Sequence, residues 1–259
     1  MTRLDMAFAR MAAAPSDDSA RLRYYDLLAG TELCLLLEVE AANDSLCPQV
    51  FDLEQGRFVL VFDGEDRLAG FSDVPVPYAA LPGRVIAALL AGQGIGLGIN
   101  LSGISSLMLP HEAVDWLAET LQQGPRVVTE VPRQVHRPDR LPVELLAALD
   151  LKLGLAAGLA EAAYLAGVTY NEGRRGHLLV FAGTVAGAEP GLAKAVAEAL
   201  TFSGIAIGAL DVGFAAAGDP LLAAMMRHGL ALTLPPAVEP AVQQRPAPGS
   251  DPLRPPKLR

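Results

Sequence analysis

The run Gly92-Gln93-Gly94-Ile95-Gly96-Leu97-Gly98-Ile99-Asn100-Leu101 decides how the first half of this 259-residue chain is read. It lies inside residues 85–111, 27 positions without an Asp, Glu, Lys or Arg, long enough to cross a bilayer as a helix. Glycines at alternate positions, however, weaken a helix by roughly 1 kcal/mol each relative to alanine. Ile95, Leu97, Ile99 and Leu101 recur with period two, the period of a strand. The spacing predicts a helix over 81–91, a glycine turn, and a strand whose glycine face lets another element come close. The run also fails as a dinucleotide fingerprint: counted from Gly92, Gly94 or Gly96, the sixth position is Leu97, Ile99 or Leu101, and the glycines precede their strand.

Upstream, Leu4, Phe8 and Met11 fall on one face of a helix. Ser16-Asp17-Asp18-Ser19 offers a cap for a second helix that ends at Gly30. Strand-like runs follow at 32–39, 49–53 and 57–62, the last two joined by the turn Glu54-Gln55-Gly56. Residues 73–78 read as an irregular, proline-containing insert, and residues 110–123 as a helix with Val114, Leu117 and Leu121 on one face.

Downstream, prolines at 125, 132, 138 and 142 frame an arginine-rich segment, read as a semi-rigid linker. Then comes a helical stripe of Leu145, Leu149 and Leu153, a hairpin of strands 162–170 and 177–185, and a helix aligned on Leu192, Val196 and Leu200. A strand near 207–214, a helix opened by Asp219-Pro220 and an edge strand at 230–234 complete the pattern. The expected organisation is an α+β chain of two domains, each a small mixed or antiparallel sheet covered by helices. The boundaries are 1–124, a linker 125–141, 142–236, and a proline-rich, disordered tail 237–259.

Net charge −9 and an isoelectric point near 4.9 argue against nucleic acid as a partner, since phosphates call for a basic face. Asp5 and Arg10 interrupt any apolar leader. Two cysteines, Cys34 and Cys47, exclude a disulfide scaffold and fit a reducing compartment, so a cytoplasmic, non-membrane protein is expected.

Chemistry-bearing patterns are sparse. His111-Glu112-Ala113-Val114-Asp115 imitates the i, i+4 ligand pair of zinc hydrolases, but acidic residues in a first helical turn stabilise the dipole without a metal. Ser102 and Ser105 do not satisfy Gly-x-Ser-x-Gly. The histidines 111, 136, 177 and 228 are dispersed. Glu38, Glu40, Asp44, Asp63, Glu65 and Asp66 read as solvated carboxylates at strand ends and turns, and Arg174 and Arg175 as a hairpin tip able to meet an acidic partner. No catalytic, cofactor-binding or metal-binding residue is assigned, and no cofactor is expected.

Arg23-Tyr24-Tyr25-Asp26-Leu27-Leu28-Ala29, the strand after it, and Arg57-Phe58-Val59-Leu60-Val61-Phe62 through Ala69-Gly70-Phe71 resemble the N-terminal domain of the SseB family. Phe62-Asp63-Gly64 stands where that family has Phe-Thr-Ser, and Ile99-Asn100-Leu101 keeps its Asn but replaces the Pro that follows. Ala162-Ala163-Tyr164-Leu165 and the helix and strand after it are similar to the SseB C-terminal domain, so the likeness runs over about residues 4–235. The family name refers to enhanced serine sensitivity, and its domains also carry a type III secretion label. The resemblance implies no defined catalytic residue. The expected function is therefore a non-catalytic binding or regulatory module for a protein or small metabolite, with homo-oligomerisation expected from the apolar composition. The alternatives are an enzyme acting on a small amino-acid-related metabolite in an interdomain cleft, and a type III secretion-associated component.

Overall fold

A computed structural model of the chain describes residues 1–41, 45–72, 74–123, 130–139, 141–171, 173–204 and 210–236. The first region runs α1 (Arg3–Ala13), α2 (Asp18–Gly30), β1 (Glu32–Leu36), β2 (Val50–Leu53), β3 (Gly56–Phe62), α3 (Glu65–Phe71), β4 (Tyr78–Pro82), α4 (Gly83–Leu90), β5 (Ile95–Ile99), β6 (Leu107–Leu109) and α5 (His111–Gln122). The second runs β7 (Gln134–His136), α6 (Val143–Leu153), β8 (Ala162–Thr169), β9 (Arg175–Ala182), α7 (Glu189–Ser203), β10 (Leu210–Ala215), α8 (Pro220–His228) and β11 (Leu230–Leu232). The architecture is α+β with two mixed sheets, as the hydrophobic periods predict.

Each sheet contains one parallel pair, and each pair is made by a helical crossover, the connection that parallel strands require. In the first sheet, ordered β4-β1-β3-β5-β6, β3 and β5 run parallel with α4 in the connection. In the second, ordered β10-β9-β8-β11, β9 and β10 run parallel through α7. β2 pairs with β3, and β7, inside the proline- and arginine-rich segment, pairs with β8. α1, α2, α4 and α5 bury Leu4, Leu28, Ile86 and Leu117 against one face of the first sheet, and α3 sets Leu68 against the other. The second sheet carries α6 and α7 on one face and Met225 of α8 on the other.

The glycine strand behaves as its spacing predicts. Ile95, Leu97 and Ile99 enter the helix-covered core, while Gly96 and Gly98 face the other way. A Cβ on Gly96 would come within 2.5 Å of both the Leu109 carbonyl and the Phe58 ring, and one on Gly98 within 2.6 Å of Leu60. The missing side chains are the space that the large residues of β3 fill. Residues 85–111 are thus a short helix and two strands, and among the described residues no helix is long and apolar enough to cross a membrane.

Several elements differ from the sequence reading. The helix expected over 81–91 begins at Gly83, because Leu81 and Pro82 close β4, an edge strand antiparallel to β1. β4 reads Tyr-Ala-Ala-Leu-Pro, poor in strand-forming residues, so its pairing partner and not its propensity selects it. At an edge, Pro82 costs no ladder bond. Glu65 and Asp66, expected in a turn, open α3, where they sit at the positive end of its dipole. The short strands β6 and β7 carry too few residues to show a period. The tail 237–259 and the first part of the strand expected at 207–214 lie outside the described residues.

Gly96→Ala is expected to lower stability by about 1–3 kcal/mol through overpacking against Phe58, while Gly70→Ala, which meets nothing within 4 Å, stays near neutral. Urea unfolding of the two variants measures the contrast.

Candidate binding cleft between the two sheet-bearing regions

Where the two regions meet, four charged side chains are drawn together by helices α2, α4, α6 and α7. Lys152 on α6 is 7% exposed, yet it follows the buried stripe of Leu145 and Leu149. Its ammonium forms an ion pair with Asp26 of α2, and its Nζ donates to Glu198 Oε2 at 2.9 Å. Arg84, at the start of crossover helix α4, reaches both oxygens of Glu198 on crossover helix α7 at 3.2 Å. The Nζ also stands 5.8 Å from the centre of the Phe202 ring, which packs edge-on against Trp116 of α5. Burial raises the pKa of Asp26, against the pull of Lys152. At Glu198 burial is outweighed by Arg84 and Lys152 together, and its pKa is lowered.

Asp26 and Phe202 also line a cleft of about 290 Å³, with Arg10 of α1, Arg23 of α2, and Ala148 and Leu151 of α6. Arg10, Ala20, Arg23 and Leu151 also bound a groove of about 250 Å³, where Arg3, Met6 and Leu27 complete the wall. The cleft hydroxyls are spent locally: Ser19 donates to Asp17 at 2.6 Å, and Ser203 to the Leu200 carbonyl at 2.7 Å.

A second polar cluster lies at the carboxyl ends of the parallel strands β3 and β5, the place where open α/β sheets bind ligands. Here the chain itself fills the position. Thr2 caps α1, and Asp5 returns the bond in a capping box. The Asp5 carboxylate, 3% exposed, also accepts from Ser105 Oγ at 2.6 Å and from an Arg67 guanidinium nitrogen at 2.6 Å. Arg67 donates to Ser105 at 2.9 Å and pairs with Asp63 at 3.0 Å, and Thr2 Oγ1 donates to Asp63 at 2.6 Å. Asn100 accepts the Asp63 N–H at 3.0 Å and donates to Ser105 at 3.2 Å. Asn100 and Ser102 adopt left-handed backbone, φ 48° and 68°, a strain that surrounding bonds must hold. Burial opposes ionisation of Asp5, but the bonds from Arg67, Ser105 and Thr2 prevail and hold its carboxyl well below the usual range.

These contacts answer the remaining expectations. Asp63, read as a solvated carboxylate, is held by Arg67 and Thr2, because α1 folds over the strand end. Arg174 does not stand free at its hairpin tip: it pairs with Glu130 and Asp211 and stacks on the Tyr170 ring at 3.9 Å. His111 lies beside Glu112 and Asp115, and among the described residues no group of His, Cys, Asp or Glu is arranged to hold a metal. Cys34 is buried as a small apolar residue, and Cys47 is exposed. Asp44 lies outside the described residues.

Residues 4–116 match the family model described as the SseB protein N-terminal domain. This part of the chain is similar to SseB N-terminal domains. The match covers most of α1 through most of α5, and with them Asp5, Asp63, Arg67, Asn100 and Ser105 of the polar cluster and two members of the buried ion-pair group, Asp26 and Arg84. No curated protein and no solved structure gives a significant match to the chain. Within the matched residues, Asn100 is the side chain that bridges the ends of β3 and β5.

Two outcomes follow. Asp5→Asn is expected to cost roughly 3 kcal/mol at pH 7 by leaving Arg67 undercompensated. Because the Asp5 pKa is depressed on folding, its contribution is present above the unfolded value near 4 and is lost as pH falls through that value toward the lower folded one. Urea unfolding between pH 7 and pH 3.5 should therefore show a flatter pH dependence in the variant. Lys152→Met strands Asp26 and is expected to cost about 3–5 kcal/mol, whereas Asp26→Leu/Lys152→Met, which leaves Glu198 with Arg84, recovers most of it in the same assay.

Proposed function

We infer that the chain is a non-catalytic binding or regulatory module whose ligand enters the cleft between two α+β domains, residues 1–124 and 142–236, joined by 125–141. One observation carries this reading. The cleft is concave, it sets Ala148, Leu151 and Phe202 beside charged groups, and its buried carboxylate, Asp26, is paired with Lys152 behind the wall. Catalysis requires a nucleophile and a base within bonding reach of each other and of a substrate. The Ser19 and Ser203 hydroxyls are turned to the backbone or a cap, and none of the four histidines lines the cleft. Concave apolar walls with a few polar groups are instead the usual form of a small-molecule site, and domain junctions are a usual place for one. A small metabolite suits this cleft better than a protein partner, which favours a broad, flat contact.

The test is a thermal-shift panel of amino acids, nucleotides, carboxylic acids and organic phosphates. It runs on the native protein and on Ala20→Trp, which fills the junction of cleft and groove. A ligand at a hundred times its dissociation constant adds about 2.7 kcal/mol, a rise of a few degrees at this size. The expected result is a shift in the native protein that is lost in Ala20→Trp. A panel that shifts both proteins equally, or neither, overturns the cleft as the binding site.

A further inference from the structure

Among 29 acidic and 20 basic side chains, the groove beside the cleft gathers three guanidiniums, Arg3, Arg10 and Arg23, and no carboxylate among its lining residues. Several other arginines are engaged, Arg21 with Asp18, Arg67 with Asp5 and Asp63, Arg84 with Glu198, and Arg174 with Glu130 and Asp211, while Arg133, Arg137, Arg175 and Arg227 stand singly, outside this groove's lining. Among the described residues Arg3, Arg10 and Arg23 have no hydrogen-bond or ion-pair partner. Three like charges lining one groove with no carboxylate on its wall repel one another, and an incoming anion relieves that repulsion.

The remaining walls are apolar: Met6, Ala7, Leu27 and Leu151. Met6 is 43% exposed, an unbranched thioether able to fold over a hydrocarbon body. The carboxylates of the joined cleft, Asp17, Asp26 and Glu144, line only its other compartment; Asp17 is already the cap of α2 and Asp26 is paired with Lys152. The charged end of a ligand is therefore directed into the arginine groove and its apolar part along Leu27 and Leu151. Resting on the binding reading above, we propose that this groove is a site for a small organic anion, a carboxylate or phosphate monoester carrying a short apolar body, clasped by Arg3, Arg10 and Arg23. Guanidinium suits either head group, because its planar fork donates two parallel bonds.

Isothermal titration calorimetry of the full chain with hexanoate, hexyl phosphate and the neutral isostere hexanamide separates the outcomes. Expected is saturable one-site binding of at least one of the two anions, at least tenfold weaker binding of hexanamide, and weakening of the anion by added salt. Arg10→Gln and Arg23→Gln should each lose at least tenfold in anion affinity while keeping the melting temperature, since neither residue holds another part of the fold. Arg227→Gln, which removes the same charge from the distant helix α8, should bind as the native protein does. Equal binding of hexanamide and hexanoate, lost in Ala20→Trp, overturns the anion assignment and leaves the cleft reading standing. Anion binding that survives both arginine substitutions overturns the site, as does sedimentation with phosphatidylglycerol vesicles without hexanoate or hexyl phosphate binding. No heat from any of the three probes overturns the anion proposal, and the panel on the native protein and Ala20→Trp then judges the cleft separately.

Discussion

The ammonium of Lys152, buried where the two sheet-bearing regions touch, sits at the centre of the contacts that join them, beside the Arg84–Glu198 pair and the Phe202–Trp116 packing. Removing it from water costs several kcal/mol, a cost offset only when its partners are close and themselves satisfied. Glu198 comes from the same region as Lys152 and Asp26 from the other, so the ammonium gains its second carboxylate only when the two regions have met. Arg84 extends the arrangement by joining the two crossover helices, each of which creates the parallel strand pair in its own sheet. The cleft inherits its shape from this: α2 and α6, which form its walls, are the helices that Asp26 and Lys152 tie together.

The pKa shifts at this junction have opposite signs. Asp26 is raised on folding, so its contribution to stability grows as pH falls through its titration range, whereas Glu198 is lowered and loses its contribution in the same direction. The two contributions run in opposite directions as pH falls, whereas at the Asp5 cluster the carboxyl is depressed by its bonds to Arg67, Ser105 and Thr2.

Much of the fold was legible because its cues are local. The period-two apolar residues of β5, the Asp17 cap, the Asp219-Pro220 helix start and the turn between β8 and β9 each operate within a few residues. β4 and β7 were not legible, because alanine-rich or three-residue strands exist only by virtue of their neighbours. The candidate site was nearly silent for the same reason. Asp5 meets Arg67 and Ser105 across 62 and 100 residues, and Arg84 meets Glu198 across 114. One signal was present. Lys152 interrupts an apolar helical face beside Leu149 and Leu153, and a charge in that position calls for a buried partner.

The closure of α1 over the end of the first sheet also bears on the order in which the chain is made. A nascent chain emerges N-terminus first, so Asp5 leaves the ribosome before Arg67 and long before Ser105 exist to receive it. Thr2 and Asp5 can bond each other from the outset through the capping box, which keeps the helix start satisfied while it waits. Asp26 has no such local substitute and stays in water until Lys152 has been synthesised. The docking of the two regions is thus placed late in biogenesis, with α2 exposed to solvent or to a chaperone throughout the interval.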